Sequence, residues 1–154
     1  MLEIVPRIVG KTLEGARAGV AKLVYHSAEM ADVPELIRLT SSVFEDGEAL
    51  PARFTADGAK ISPPLRWEGV PPEAAALVLV VEDPDAPMPN PLVHCIVWDL
   101  PVQPDGLAAG DLRGPGLEGA GYALGRNSFL KAEYLPPDPP TGHGPHRYGF
   151  QLFA

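Results

Sequence analysis

The hydrophobic pattern changes from helical spacing near the N-terminus to short apolar runs along the rest of the chain. One helix face is predicted by apolar residues three or four positions apart: Leu13, Ala16, Val20, Leu23 and Val24. Thr12 precedes them as a candidate N-cap, while Gly15 and Gly19 weaken the helix. We therefore expect a packing helix within residues 1–32, and the sharper alternative is an arm for self-association.

From residue 37 onward, short apolar runs separated by turn residues predict β-strands. Residues 77–81 are an unbroken run of large aliphatic side chains, which predicts a central strand buried on both faces. Residues 94–98 and 148–153 predict two further core strands, and the glycine-rich stretch 107–125 predicts a loop. Strands this short and this often interrupted favour a mainly β fold, an antiparallel β-sandwich with few short helices.

Composition restricts the chain to a single acidic domain of 154 residues with a formal charge of −8 and a sequence pI of about 4.9. The sequence has no basic stripe, so we expect no nucleic-acid partner. Cys95 is the single cysteine, which excludes an internal disulfide and suits a reducing compartment. Arg7, Lys11 and Glu14 interrupt the apolar N-terminus, so we expect neither a signal sequence nor a membrane span, and a cytoplasmic location.

Two segments combine charged side chains with stiff backbone next to core strands. Pro84 holds Asp83 in an extended conformation, and Pro87 fixes a second φ angle in the same short loop. If the strands on either side of this loop pair as a hairpin, Asp83 and His94 meet at one edge of the sheet. By the period of two, His94 would share a face with the apolar residues that follow it.

The second segment begins the third core strand, where His146 and Tyr148 follow a loop rich in proline and glycine. Two histidines that each begin a core strand beside a rigid loop indicate a shared site. A carboxylate favours the charged imidazole, and imidazolium with the Tyr148 hydroxyl forms a donor-rich pocket for a phosphate-like anion. Asp83 would then orient a histidine, while Asp85 would face the amine of a phosphorylethanolamine-type head group.

Five motifs together resemble the phosphatidylethanolamine-binding protein family, in its bacterial and archaeal Raf-kinase-inhibitor-like branch. The motifs are ISPPLRW at 61–67, DPDAP at 83–87, VH at 93–94, GRNSF at 125–129, and PPTG at 139–142 followed by HRY at 146–148. The resemblance extends over about residues 37–154. It implies an antiparallel β-sandwich with a small anion pocket at one end. It carries the ligand-binding roles onto Asp83, Asp85, Pro87, His94, His146 and Tyr148.

The resemblance further implies a non-catalytic protein without cofactor or metal that regulates or inhibits a partner, such as a kinase or a protease. Leu92 and Cys95 replace the tryptophans that usually flank the family's histidine. The family also continues past the third core strand with a C-terminal helix and strand, whereas this chain stops at Ala154. We therefore expect an N-terminal extension over 1–32, a C-terminally short domain over 33–154, a more open pocket, and an unclosed sheet edge that favours a homodimer.

Three other functions are compatible with the same residues. Aspartates and histidines in a cleft could perform the acid–base chemistry of a phosphoester hydrolase. His143 and His146, three positions apart, could bind a metal together with the two aspartates, although His143 between two glycines fits a solvated loop histidine better. The proline-rich loop over 134–145 could itself be a protein ligand, but shaping the pocket rim is the favoured interpretation.

Overall fold

The computed structural model describes residues 7–112 and 121–154, and these form a mainly β structure. Within these two ranges there is one short α-helix, α1 (Arg7–Thr12), which precedes short 3-10 turns at Val20–Lys22, Val24–His26, Ala28–Met30 and Ala52–Phe54. The strands are β1 (Arg38–Thr40), β2 (Leu65–Glu68), β3 (Leu77–Asp83), β4 (Leu92–Leu100), β5 (Gly106–Leu107), β6 (Ala123–Leu124) and β7 (Gly149–Phe153). Part of the predicted loop over 107–125 lies outside the described residues.

Two antiparallel sheets share one hydrophobic core. One sheet has the strand order β1-β2-β5, and the other has the order β6-β4-β3-β7. Buried residues of both sheets and of two connecting segments form a single cluster: Leu65, Trp67, Leu77, Leu79, Val81, Cys95, Val97, Leu100 and Leu107 from the strands, with Leu112 and Tyr134 from the segments. The predicted antiparallel β-sandwich is therefore confirmed.

The central position predicted for residues 77–81 is confirmed, because β3 pairs with β4 on one side and β7 on the other. Most of β3 is buried along its length, as expected for a strand between two neighbours in a packed sandwich. The third core strand begins at Gly149, one residue later than predicted. His146 and Tyr148 therefore lie in the segment that leads into β7, where side chains need not alternate between the two faces of the sheet.

The predicted N-terminal helix is wrong in position. Thr12, the expected N-cap, is the last residue of α1, and the chain from residue 13 onward runs in turns. Gly19 has a φ of 99°, which a right-handed helix cannot accommodate. The amides of Ala18 and Gly19 donate to the carbonyls of Ala86 and Pro84 at 3.1 and 2.8 Å, so their hydrogen bonds go to the pocket loop. Within the described ranges, no helix is long and apolar enough to cross a membrane.

Candidate functional site

The loop after β3 holds two carboxylates inside the protein. Asp83 is 3% exposed and Asp85 is 1% exposed. The Asp83 side chain accepts a hydrogen bond from the Asp85 amide at 2.8 Å, which closes an Asx turn over Pro84. Pro87 is half-buried where the loop returns to the surface. Buried carboxylates need partners, and the two aspartates find different ones.

Asp85 is bound by arginines of the protein itself. It accepts hydrogen bonds from Arg147 Nε and Nη2 at 2.7 and 2.6 Å and from the Arg147 amide at 2.8 Å. Arg17 Nη1 lies 2.8 Å from Asp85 Oδ1. The Arg147 guanidinium holds the pKa of Asp85 far below its usual value, aided by Arg17 and opposed by burial. Asp85 was expected to face the amine of a ligand, and the two arginines already occupy this carboxylate.

Asp83 begins a chain of three hydrogen bonds through two imidazoles. Asp83 Oδ2 lies 2.7 Å from His146 Nδ1, and His146 Nε2 lies 2.7 Å from His143 Nδ1. His143 Nε2 lies 2.7 Å from the carbonyl oxygen of Leu13 and 3.2 Å from that of Ala16. Asp83 was expected to orient a histidine, and the histidine that its carboxyl group contacts is His146. Both ring nitrogens of His146 are therefore engaged by protein atoms.

The carbonyl end of this chain fixes the direction of one hydrogen bond. A carbonyl oxygen only accepts, so His143 Nε2 donates to Leu13, and the Asp83 carboxyl lies at the opposite end of the chain.

His143 itself was misjudged from the sequence. It is fully buried, where a solvated loop residue was expected. Its neighbour Gly142 has a φ of 88° and Gly144 a φ of 94°, so the flanking glycines turn the chain to place the ring inside. The three-residue spacing between His143 and His146 was the sequence signal that the two side chains interact. The interaction is a direct contact between the two rings, whereas joint ligation of a metal had been considered.

His94 occupies a β-bulge in β4. Val81 pairs with Cys95 and Glu82 pairs with Val93, so His94 is an extra residue that β3 leaves unpaired. Its backbone carbonyl instead accepts from the Leu135 amide at 2.8 Å, and its Nδ1 lies 2.7 Å from the Leu135 carbonyl oxygen. The bulge interrupts the alternation that predicted a shared face for His94, Ile96 and Trp98, and it redirects the ring.

Two buried polar atoms stand out at this point. His94 Nε2 and the Tyr148 hydroxyl oxygen have no hydrogen-bond partner among the described residues. The two rings lie edge to face with their centroids 5.2 Å apart. Burial lowers the pKa of His94, opposed by the Leu135 hydrogen bond and the charge of Asp83, and burial raises the pKa of Tyr148. The site thus presents a neutral imidazole and a protonated hydroxyl side by side.

A wide groove of about 1450 Å³ lies next to this pair. Tyr148, His146 and Pro139 are among the residues that line it, together with the acidic loop over 45–48. His94 is not among the lining residues, whereas its ring neighbour Tyr148 is. Tyr148 is therefore the member of the pair that contacts the open groove.

Sequence reasoning missed three contributors to this site. Arg17 comes from the N-terminal segment, Arg147 follows His146 directly, and Leu135 supplies the backbone groups that hold His94. Arg147 was part of the HRY motif and could have been paired with a buried aspartate. The contacts of Arg17 and Leu135 depend on long-range folding, and the sequence carries no local signal for them.

Comparisons with known proteins agree with this architecture. Residues 40–154 match the family model described as phosphatidylethanolamine-binding protein. A UPF0098 protein of Pyrococcus abyssi is 38% identical over 124 residues, which cover 78% of this chain and 66% of that protein, so the aligned part spans just under two thirds of the relative.

Two solved structures are also similar to this chain. A phosphatidylethanolamine-binding protein homologue of Chlamydia trachomatis is 35% identical with a TM-score of 0.68, covering 79% of this chain and 76% of its own. YbcL of Escherichia coli, described as a member of the mammalian PEBP family, is 31% identical with a TM-score of 0.72, covering 78% of this chain and 77% of its own. The chain therefore belongs to the phosphatidylethanolamine-binding protein family.

Proposed function

We propose that the protein binds a small phosphate-bearing anion that contacts both His94 and Tyr148, in a pocket completed by Asp83, Asp85, Pro87 and His146. The observation that carries this proposal is the pair of buried, unpartnered polar atoms on adjacent rings. An unsatisfied buried polar group costs about 1–3 kcal/mol, so two together are expected where a ligand supplies the missing hydrogen bonds.

The neighbouring charges suit a single negative charge. Asp85 lies between Arg17 and Arg147, so two guanidinium groups face one carboxylate at this side of the pocket. The excess positive charge there favours an anion. Because Asp85 is already engaged, the amine of phosphorylethanolamine adds little to its binding, and the phosphate provides the recognised chemistry.

A binding role is favoured over hydrolysis by the surroundings of the titratable groups. The outer nitrogen of His146 contacts His143 where a hydrolase would place a hydroxyl nucleophile or a water. Cys95 is fully buried, and burial raises the pKa of its thiol to about 12, which keeps the thiol unreactive. Turnover of a phosphoester panel that disappears in His94→Ala would reverse this assignment.

We further propose that anion binding serves the regulation of a partner protein, a kinase or a protease, and that the protein forms homodimers. Arg147 joins the buried Asp85 to the surface, because its side chain is 65% exposed. The dimer proposal rests on β7, which pairs with β3 on one side and ends its sheet. Inhibition assays with and without phosphate, and sedimentation velocity at several concentrations, test the two statements separately.

Isothermal titration with phosphorylethanolamine tests the site. We expect His94→Ala and Tyr148→Phe each to weaken binding at least tenfold, because each removes one of the two facing groups. His26→Ala is the matched control, since His26 is exposed and lies outside the pocket. Unchanged binding in both pocket variants, with both proteins folded by circular dichroism, would remove the anion from this site.

A further inference from the structure

Resting on the proposed function, we infer that residues 10–19 form a clamp that holds the two segments of the anion pocket together, with Arg17 as a positioning residue. The clamp precedes the part of the chain that matches the family model, which begins at residue 40. It contacts both the pocket loop over 83–87 and the segment over 139–148 that leads into β7. Loss of these contacts should weaken anion binding, although the anion contacts proposed above lie elsewhere.

Arg17 connects the two pocket segments through one guanidinium group. Its Nη1 atom lies 2.8 Å from Asp85 Oδ1 and donates to the Pro145 carbonyl oxygen at 3.2 Å. The same Asp85 oxygen lies 2.6 Å from Nη2 of Arg147, the residue directly before Tyr148. Arg17 is therefore a second cation on a carboxylate that is 1% exposed, and it links this carboxylate to the segment that carries Tyr148.

The backbone of the clamp is also hydrogen-bonded to both segments. The amides of Ala18 and Gly19 donate to carbonyl oxygens of the pocket loop. His143 belongs to the other segment and is fully buried. Its Nε2 atom lies 2.7 Å from the Leu13 carbonyl oxygen and 3.2 Å from that of Ala16. Backbone and side chain of the clamp thus bridge the same two segments.

Gly10 brings α1 into close contact with the segment before β7. It is buried, and a Cβ atom at this position would overlap the carbonyl oxygen of Thr141. Because the overlapping atom belongs to the backbone, no side-chain rotation relieves it, and a larger residue at Gly10 must push α1 away. Gly15 lies in the same clamp, and a Cβ atom there would meet nothing within 4 Å. The two glycines therefore distinguish contact with the pocket segment from a change within the clamp alone.

Polar contacts are the main attachment of the clamp, because most of it lies at the surface. Residues 11–17 are exposed, and Ala18 is the one buried residue between positions 11 and 19, all of which the structure describes. A segment with few buried apolar contacts opens at a lower free energy than a core strand. Clamp docking and anion binding both require the two pocket segments in one arrangement, so each strengthens the other by the same factor.

Titration with methyl phosphate tests Arg17, since this probe has no amine that competes for Asp85. We expect Arg17→Met to bind it about tenfold more weakly than the wild-type protein, an ordinary size for coupling between sites. Arg17→Lys should recover part of the loss, because it restores the charge beside Asp85 without the planar fork of the guanidinium. Lys11→Met removes one exposed cation from the same clamp and is the matched control, whose affinity should stay within about twofold.

Gly10→Ala and Gly15→Ala separate the position of the clamp from its charge, because both substitutions leave the charge unchanged. We expect Gly10→Ala to weaken methyl phosphate binding at least fivefold and Gly15→Ala to leave it unchanged.

Amide hydrogen exchange of the wild-type protein measures the same coupling from the clamp. At a methyl phosphate concentration about 100 times Kd, the amides of Ala18 and Gly19 should exchange at least tenfold more slowly, up to a limit of about a hundredfold. The amides of Met30 and Ala31, which close the turn beyond the clamp, are the comparison and should change less than twofold.

The outcomes separate this inference from the function on which it rests. If the wild-type protein binds no methyl phosphate, the anion site is absent and the inference fails with it. If it binds, equal affinities of folded Arg17→Met and Lys11→Met overturn the role of Arg17. If Arg17→Met does not fold, the glycine pair and the wild-type exchange rates decide. Equal affinities of Gly10→Ala and Gly15→Ala, or Ala18 and Gly19 amides that methyl phosphate does not protect, overturn the clamp and leave the anion site in place.

Discussion

Asp85→Asn tests the electrostatics of the pocket because it removes one buried charge and preserves the size of the side chain. Breaking a buried ion pair from one side costs about 3–5 kcal/mol. Here the Arg17 and Arg147 side chains are 30% and 65% exposed, so water can rehydrate both, and exposed pairs are worth only about 0.2–1 kcal/mol. We therefore expect a loss of about 2–3 kcal/mol in the free energy of unfolding at pH 7.

Urea unfolding followed by the fluorescence of the two tryptophans, of which Trp67 is 3% exposed and Trp98 43%, measures this loss. The matched control is Asp105→Asn, because Asp105 pairs with Arg66 at 3.5 Å with both side chains well exposed. The control should lose less than about 0.5 kcal/mol. Equal losses in the two variants would refute the buried network as a source of stability.

The pH dependence has a definite sign. Folding lowers the pKa of Asp85 below its unfolded value of about 3.9, so the stabilisation is fully present above that pH. It decreases as the pH falls further, toward the lowered pKa of the folded state. The difference between the wild-type protein and Asp85→Asn should therefore be constant from pH 7 to pH 5 and shrink below about pH 4. A difference that grows on acidification would contradict the assignment.

Three further changes probe separate parts of the site. Tyr148→Phe removes a buried, unpartnered hydroxyl, so thermal unfolding should show a free energy of unfolding that is unchanged or higher by about 1–2 kcal/mol. A loss above about 1 kcal/mol would mean that the hydroxyl has a protein partner. His143→Ala removes the hydrogen bonds to Leu13 and His146 and leaves a cavity, so urea unfolding should show a loss of about 2–4 kcal/mol in the free energy of unfolding. Limited proteolysis should also cut residues 13–19 faster in this variant than in His26→Ala. Equal cleavage rates in the two variants would place the N-terminal segment outside the network. The Cys95 thiol should react with Ellman's reagent only on unfolding, and rapid labelling of the native protein would contradict its burial.

The parts of the fold that could be predicted are those where the local pattern determines the outcome. The aliphatic run at 77–81 can bury both of its faces only as a central strand, and β3 lies between β4 and β7. The prolines around Asp83 restrict the backbone locally, so the sequence could predict a restricted loop directly after β3, although not that its carboxylates are buried.

The errors come from long-range contacts that override local preference. The helix expected after Thr12 is lost because the amides of Ala18 and Gly19 find better acceptors in the pocket loop. The alternation around His94 fails because a bulge inserts one residue, and period-two reasoning has no means to anticipate such an insertion. Arg17 was missed as a partner of Asp85 for the same reason, since it lies 68 positions away in the chain and only the folded structure brings the two together.

A crystal structure of the protein soaked in methyl phosphate tests the central claim most directly. We predict that phosphoryl oxygens lie within hydrogen-bonding distance of both His94 Nε2 and the Tyr148 hydroxyl, with Asp85 still held by its two arginines. Methyl phosphate bound elsewhere on the protein, while these two atoms stay shielded and untouched, would contradict the account.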